Sequence, residues 1–336
     1  RTRAGSGLEL IGQSTLINQL RHSIDRVAPT NSRVLISGPA GSGKEVLARL
    51  IHARSRRASG PFVVLNCASM SPERMEVELF GVEGLAEGVV SPRKVGTFEA
   101  AHNGTLLLDE VADLPPETQG KIVRVLQEQI FQRVGGETRV DVNVRVIAST
   151  TRDLSEEIRA GRFREDLFYR LSVVPLRVPA LSERRDDIPL LARHFMARAA
   201  EGSGQRPREI SEDAMAALQT YDWPGNVREL RNIIERLLIM APGGVEDPIR
   251  ADMLPAEFDA KFAASRRSER SSEIMGLPLK NAREIFEREY LLAQVSRFGG
   301  NISRTAAFVG MERSALHRKL KSLGIQGDDK PRLSRD

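Results

Sequence analysis

The sequence has little of what secreted and membrane proteins depend on. Cys67 is the one cysteine in 336 residues, so no disulfide can form within the chain. No apolar run approaches the roughly 20 residues that span a bilayer, and no signal peptide opens the sequence. These absences predict a cytoplasmic protein with no membrane partner. Cys67 lies in the segment FVVLNCAS, where we expect a small buried side chain and not a reactive thiol.

The positive charge is concentrated at one end of the chain. Residues 261–336 contain 16 Lys and Arg against 9 Asp and Glu, whereas the remainder contains 34 against 36. A basic C-terminal segment on a near-neutral body predicts a nucleic-acid-binding appendage. A solvated tail is the alternative, and for residues 264–274 that alternative is favoured. The first residue is Arg, so we expect a fragment of a longer protein whose N-terminal part is missing.

The segment GPAGSGKE, residues 38–45, has the spacing of a phosphate-binding loop but lacks its usual last residue. Gly38, Gly43 and Lys44 fit the pattern, while Glu45 stands where a Ser or Thr hydroxyl helps hold Mg²⁺. An apolar strand run precedes the loop and an amphipathic helical stretch follows it, which is the arrangement that surrounds an anion with backbone N–H groups. A plain glycine-rich turn is the alternative. The flanking segments favour a nucleotide site.

A second apolar run, GTLLLDE at 104–110, ends in two acids. Asp109 and Glu110 follow a predicted buried strand, at the edge where α/β sheets bind ligands. Asp109 would hold Mg²⁺, directly or through water, and Glu110 would activate the attacking water. Paired with Lys44, these acids predict the two halves of an ATP-binding site.

Hydrophobic patterning predicts an α/β core followed by helices. Amphipathic helical stretches alternate with apolar runs, which predicts a parallel sheet, with strands at 33–37, 62–66, 105–109, 143–149 and 173–178. The segment 131–142 predicts a hairpin that turns at Gly135-Gly136. The pattern is helical from about 186 to 243, a mostly polar linker follows, and a small helical domain closes the chain.

Seven segments occur in the order found in a known family: GPAGSGKE, NCAS, ELFG, GTLLLDE, FREDLFYRL, LSERRDDIP and WPGNVREL. With them, residues 8–243 resemble the AAA+ domain of NtrC-like bacterial enhancer-binding proteins, which work with sigma-54 RNA polymerase. Glu45 is the usual residue of that family after the loop lysine. The resemblance implies an α/β AAA+ P-loop ATPase core with a helical lid, followed by an all-α Fis-type helix-turn-helix domain.

The implied domains divide the chain into five parts. They are an α/β subdomain at 8–178, a helical lid at 179–243, a linker at 244–275, a helix-turn-helix at 276–325 and a tail at 326–336. Regulators of this kind normally carry an N-terminal receiver domain, which this chain lacks. The chain is most similar to those of a nitrogen-related two-component system, which implies a cognate histidine kinase as a partner.

The resemblance also implies roles for individual residues. Asn66 matches the residue that pairs with the acid at Glu110 and relays the state of the γ-phosphate, although a strand-end cap is an equal alternative. Arg164 and Arg170 match arginines that are offered to the ATP of a neighbouring subunit, which requires an oligomer, in this family a ring. Arg228 matches the lid arginine that senses nucleotide. The candidate catalytic residues are Lys44, Asp109, Glu110, Asn66, Arg164 and Arg170, and the candidate ATP-binding residues are Gly38, Gly41, Ser42, Gly43, Lys44, Glu45, Asp109, Thr150 and Arg228.

The chain departs from the family pattern at two places. The family's Thr-Asn at the end of the sensor strand is Thr150-Thr151 here, which removes an amide donor and predicts slow hydrolysis. LAEGVV at 85–90 stands where sigma-54 activators carry Gly-Ala-Phe-Thr-Gly-Ala, and a carboxylate, Glu87, replaces the contact aromatic. We therefore predict that the chain does not activate sigma-54 polymerase in the usual way. A divergent loop that still reaches the same partner is the alternative.

The C-terminal segment 301–325 resembles the Fis-type helix-turn-helix. It predicts a first helix, a turn at Gly310 and a second helix whose buried stripe is Leu316, Leu320 and Leu323. The second helix is expected in the major groove of a palindromic operator, with DNA contacts from Arg313, Ser314, His317, Arg318 and Lys321. The preceding helix would form a homodimer. An amphipathic basic surface helix is the alternative.

Two functions remain open on the sequence. The favoured one is an ATP-binding, sequence-specific DNA-binding transcription regulator of a two-component system, with weak ATP hydrolysis. The alternative is a conventional sigma-54-dependent activator that hydrolyses ATP in a ring to remodel RNA polymerase. A DNA helicase or clamp loader is a distant third, because those proteins lack this terminal helix-turn-helix.

Overall fold

The chain folds as two compact units. The computed structural model describes residues 8–83, 94–256, 258, 278–298 and 300–325. One unit covers Arg1–Phe258 and the other Asp259–Asp336. None of the described helices is long and apolar enough to cross a membrane.

The first unit contains seven strands and ten α-helices within the described residues. The strands are β1 Val34–Ser37, β2 Phe62–Asn66, β3 Thr105–Asp109, β4 Ile130–Gln132, β5 Arg139–Asp141, β6 Arg145–Thr150 and β7 Val174–Arg177. The helices are α1 Thr15–Val27, α2 Lys44–Ala53, α3 Pro72–Phe80, α4 Thr97–Ala100, α5 Pro116–Glu128, α6 Leu154–Arg159, α7 Glu165–Leu171, α8 Ile188–Ser203, α9 Glu212–Thr220 and α10 Asn226–Met240.

Five of the strands form one parallel sheet in the order β2-β3-β6-β1-β7. The five predicted strands are confirmed, each within two residues of its apolar run. β4 and β5 pair antiparallel, which confirms the predicted hairpin. Since the strands are parallel, their carboxyl ends lie along one edge, and β1, β3 and β6 are neighbours there.

Both faces of the sheet are covered, which explains why the strands read as continuous apolar runs. Successive residues of a strand point to opposite faces. Leu106 and Leu108 of β3 accordingly pack in one hydrophobic cluster with Phe98, while Leu107 packs in another with Ile17. The sheet is therefore a rigid platform for the residues at its carboxyl edge.

The helices α8, α9 and α10 follow the sheet and form the lid. Trp223, just before α10, is buried and adopts a left-handed backbone conformation with φ of 53°. Its ring lies 5.1 Å from that of Tyr221 and 5.5 Å from that of Phe258. This aromatic cluster fixes the turn into α10.

The second unit consists, in its described part, of α11 Leu279–Arg297, α12 Ile302–Val309 and α13 Arg313–Ser322. Gly310 ends α12 with φ of 74°, at the predicted turn. Leu316 and Leu320 are buried with Leu291, and Leu323 packs against them half-buried. The fold is the predicted helix-turn-helix, with a hydrophobic core of its own.

Candidate nucleotide site and DNA-binding surface

The loop between β1 and α2 has a conformation that depends on glycine, because residues with side chains would be strained or would clash there. Gly41 has φ of 74°, and a Cβ added there would lie 2.2 Å from the Gly225 carbonyl oxygen. Gly43 precedes α2 with φ of 107°, and a Cβ there would meet no atom within 4 Å. The amino end of α2 is therefore open on this side, and a helix amino end with unpaired N–H groups binds anions.

Lys44 joins this loop to the acidic end of β3. Its side chain is 7% exposed, and its Nζ donates to the Gly38 carbonyl at 3.0 Å. The same Nζ lies 3.4 Å from Oε1 of Glu110. Lys44 and Glu110, which the sequence predicts to belong to one ATP-binding site, are thus neighbours. Glu45 instead forms an exposed ion pair with Arg49, at 2.7 Å.

Asp109 ends β3 beside Asn66 of β2, with which it is in register. Its carboxylate accepts a hydrogen bond from the Ser149 hydroxyl on β6. Asn66 Oδ1 accepts from the Ala68 N–H at 2.9 Å, which is the cap contact that the sequence left open. Sequence reasoning missed Ser149, which follows the apolar run of a sensor strand.

At the carboxyl end of β3, Asp109 offers a carboxylate to a magnesium ion. Among the described residues no group of three or more His, Cys, Asp or Glu side chains is placed to hold a metal. Mg²⁺ commonly binds one or two protein carboxylates and completes its shell with phosphate oxygens and water. Asp109 therefore fits Mg²⁺ that enters with a nucleotide.

Glu110 is held by the residue next to the one that the sequence singled out. Its Oε2 accepts from the Thr151 N–H at 3.0 Å and from the Thr151 hydroxyl at 2.9 Å. Thr150 is buried, and its hydroxyl donates to the Arg152 carbonyl at 3.0 Å. Thr151, and not Thr150, thus contacts the candidate base.

The lid reaches the loop through the turn before α10. Asn226 Nδ2 donates to the Ala40 carbonyl at 2.9 Å, and its Oδ1 accepts from the Leu181 N–H at 2.8 Å. The Arg228 N–H donates to the Gly41 carbonyl at 3.2 Å. The candidate sensor arginine therefore stands in the first turn of a helix that is bonded to the loop. Asn226 lies within WPGNVREL, but its contact could not be read from that motif.

Arg164 and Arg170, the arginines that the resemblance assigns to a neighbouring subunit's ATP, make other contacts. Arg164 forms an exposed ion pair with Asp166 at 2.7 Å. The hydrogen bonding to Asp166 in this pair raises the pKa of the Arg164 guanidinium. Arg170 is in the last turn of α7 near Arg33, whose pKa is lowered first by burial and then by Arg170. Within the described part of the chain, no hydrogen bond or ion pair joins either arginine to Lys44 or to the acids at the end of β3.

Cys67 follows Asn66 and is 1% exposed, which confirms the buried side chain that the sequence predicted. Burial, and then the charges of Asp109, Asp113 and Glu110, raise the pKa of its thiol to about 12. Since the thiolate is the nucleophile, this thiol is unreactive in the folded protein.

The candidate DNA contacts lie on one helix of the second unit. All five residues are exposed on α13: Arg313, Ser314, His317, Arg318 and Lys321. Lys319 of the same helix is different, since its ammonium lies 2.6 Å from the carboxylate of Glu287. A set of exposed polar and basic side chains is thus backed by the buried Leu316 and Leu320.

Three family models match successive parts of the chain. The sigma-54 interaction domain matches residues 10–177, the AAA+ ATPase lid domain 182–271, and the Fis family of bacterial regulatory proteins 282–323. These matches and the observed sheet, lid and helix-turn-helix confirm the predicted fold class. The six residues at 85–90 lie outside the described residues.

The chain is also similar to individual proteins along most of its length. It is 59% identical over 316 residues to the nitrogen assimilation regulatory protein NtrX of Azorhizobium caulinodans, covering 94% of this chain and 69% of that protein. Crystal structures of NtrX from Brucella abortus in complex with ADP and with ATP are each 58% identical, with a TM-score of 0.70. Those alignments cover 96% of this chain and 70% of the solved chain.

Proposed function

The chain belongs to the NtrC-type family of bacterial sigma-54-interacting regulators, and we propose that it is an ATP-binding, sequence-specific DNA-binding transcription regulator of a two-component system. The observation that carries the proposal is the 3.4 Å contact between Lys44 Nζ and Glu110. It places a buried cation and an acid side by side at the carboxyl edge of a parallel sheet, next to the open amino end of α2.

Each residue of the site has a distinct task in this proposal. The Lys44 ammonium compensates the charge of the β- and γ-phosphates, and backbone N–H groups of residues 41–44 surround them. Asp109 would hold Mg²⁺ together with the phosphates, and the ion would supply charge neutralisation there. Glu110 orients and deprotonates the attacking water. Arg164 and Arg170 act on the nucleotide of a neighbouring subunit, which requires an oligomer.

The DNA-binding unit supplies sequence specificity. The exposed residues of α13 would read a palindromic operator as a homodimer, within the cytoplasm where the chromosome lies. The chain covers about 70% of its NtrX relatives, and a receiver domain outside this chain would connect it to a cognate histidine kinase.

The sequence at 85–90 bears on how the regulator would contact RNA polymerase. A carboxylate in place of the family's aromatic removes an apolar contact and adds a charge that must be desolvated. We infer that this chain regulates through DNA occupancy or another form of polymerase. Open-complex formation by purified sigma-54 polymerase on a promoter with the chain's own site tests this point, and robust ATP-dependent opening contradicts it.

A conventional activator that hydrolyses ATP in a ring is the second candidate. The match of residues 10–177 to the sigma-54 interaction domain favours it. Steady-state ATPase activity against protein concentration, with and without operator DNA, separates the two. Activity that rises steeply with assembly and reaches many turnovers supports the activator. Tight ATP binding with turnover that stays low at every concentration supports the regulator proposed here.

A further inference from the structure

Arg184, between the sheet and the lid, is a buried arginine with donors that the protein does not use. It is 3% exposed, and its Nη2 donates one long hydrogen bond, 3.5 Å, to the Ser42 carbonyl. Its Nε and Nη1 have no hydrogen-bond partner among the described residues. The hydroxyl of Ser42, in the phosphate-binding loop, is also buried and without a partner there.

Such an arrangement is costly for the protein by itself. A buried guanidinium without hydrogen-bond partners loses the solvation that it has in water. Burial lowers the pKa of Arg184, while the charge of Asp187 opposes that shift. The Asp187 carboxylate is itself occupied by the Gln13 N–H at 2.6 Å and by the Ser14 N–H at 2.8 Å. No ion pair with Arg184 forms in the described structure, so ion pairing does not account for the burial of this arginine.

Both residues line a cleft of about 760 Å³ that begins beside Gly43. One wall is apolar and is contributed by Leu10, Ile11 and Val46, and by Leu191, Phe195 and Val227 of the lid helices. A volume of several hundred Å³ with apolar walls and a few polar groups is typical of small-molecule sites. Arg184 and Ser42 therefore line the space into which a nucleotide held by the loop would extend.

We propose that Arg184 is a nucleotide-binding residue, which donates from Nε and Nη1 to hydrogen-bond acceptors of the bound nucleotide, with the Ser42 hydroxyl as a second donor. The inference rests on the proposed ATP site and adds a contact to it. The acceptors are phosphate oxygens or the ring nitrogens and ribose oxygens of the nucleoside. A guanidinium donates and never accepts, so either source satisfies it.

The test replaces Arg184 by Met, which keeps the volume and removes the charge. Calorimetric titration is expected to show ATP affinity reduced by roughly 10–100-fold, since hydrogen bonds from a charged group are lost. The Tm without nucleotide is expected to stay equal or rise, because replacing a buried unpaired charge with an apolar side chain removes a desolvation cost. A merely structural arginine predicts the reverse, a lower Tm with unchanged ATP affinity.

Arg184→Lys gives a second measurement if the Met variant folds poorly. It keeps the charge but not the planar donor fork, so weakened ATP binding is again expected. Wild-type ATP affinity in either folded variant overturns the inference. Arg193→Met, on an exposed arginine of α8 that does not line the cleft, is the control and should bind ATP as the wild type does.

Two further titrations separate the possible causes. With pyrophosphate as the probe, a parallel loss in Arg184→Met places the contact at the phosphates, and a loss seen with ATP alone places it at the nucleoside. Lys44→Ala tests the proposed function itself. If Lys44→Ala loses ATP binding while both Arg184 variants keep it, the Arg184 contact is wrong and the ATP site stands.

Discussion

Thr151 holds one carboxylate oxygen of Glu110 with two donors, its backbone N–H at 3.0 Å and its hydroxyl at 2.9 Å. The other oxygen lies 3.4 Å from Lys44. The candidate base is therefore oriented by a threonine where the family has an asparagine. The side chain at 151 still donates, although with one hydrogen in place of the two of an amide.

We expect Thr151→Val to slow ATP turnover without weakening ATP binding. The substitution removes the hydroxyl donor and leaves the N–H, so Glu110 loses part of its orientation. Loss of a hydrogen bond to a charged group corresponds to about tenfold in kcat. Single-turnover kinetics and ATP titration measure the two effects separately. Thr151→Ser, which keeps the hydroxyl, should stay close to wild type, and an equal loss of ATP affinity would contradict this role.

Lys44→Ala and Glu110→Gln are expected to separate binding from hydrolysis. Without the ammonium, the phosphate charge is uncompensated, so Lys44→Ala should lose ATP binding. Glu110→Gln keeps the shape of the side chain and removes its basicity, so it should bind ATP and fail to turn it over. Normal hydrolysis by Glu110→Gln would show that the base lies elsewhere. Asp109→Asn should impair binding only when Mg²⁺ is present.

Cys67 should resist alkylation until the protein unfolds. The pKa of the folded thiol is about 12, well above the ordinary cysteine value of 9.0. Because the folded state holds this proton more tightly, the thiol's stabilising contribution is complete below about pH 9 and is lost as pH rises toward 12. Mass spectrometry after iodoacetamide treatment at pH 8, with and without urea, measures the difference. Rapid labelling of the native protein would contradict the buried placement.

Arg145→Ala is expected to destabilise the first unit by about 3 kcal/mol or more. The Arg145 guanidinium is 1% exposed and donates to the carbonyls of Val27, Ala28 and Ser32, at and beyond the end of α1. Its loss leaves buried carbonyls without donors. Urea unfolding followed by circular dichroism measures the change. Arg139→Ala, on an exposed residue of β5, is the control and should shift stability by no more than about 0.5 kcal/mol.

The second unit should bind DNA without the first. A fragment from about residue 276 retains the cluster of Leu291, Leu316 and Leu320, and should bind a palindromic site with affinity that falls steeply with salt. Arg318→Ala should weaken specific binding by about 1–3 kcal/mol if it reads a base. Lys319→Ala should matter less, because Glu287 already holds that ammonium. Binding retained by a chain ending near residue 270 would contradict the assignment.

The sequence predicted the sheet well because its strands are buried on both faces. Such strands are short apolar runs, and the acids that close β3 mark its carboxyl end. The contacts of Asn226, Ser149 and Arg184 could not be predicted, because each joins elements far apart in the chain. Asn226 to Ala40 spans 186 residues, and Arg184 to Ser42 spans 142. Local periodicity does not predict contacts between such distant residues. Which of Thr150 and Thr151 contacts Glu110 depends on side-chain rotamers at the strand end.

The close approach of Gly41 to Gly225 has a consequence for exchanging parts between relatives. The lid turn touches the loop through the Gly225 carbonyl, the Asn226 amide and the Arg228 N–H, each directed at backbone of Ala40 or Gly41. Backbone partners do not change with side-chain identity, but their positions must match within tenths of an ångström. A chimaera that takes its lid from another family member should therefore keep ATP affinity only if loop and turn come from the same parent. We therefore expect the phosphate-binding loop and the lid turn to evolve together.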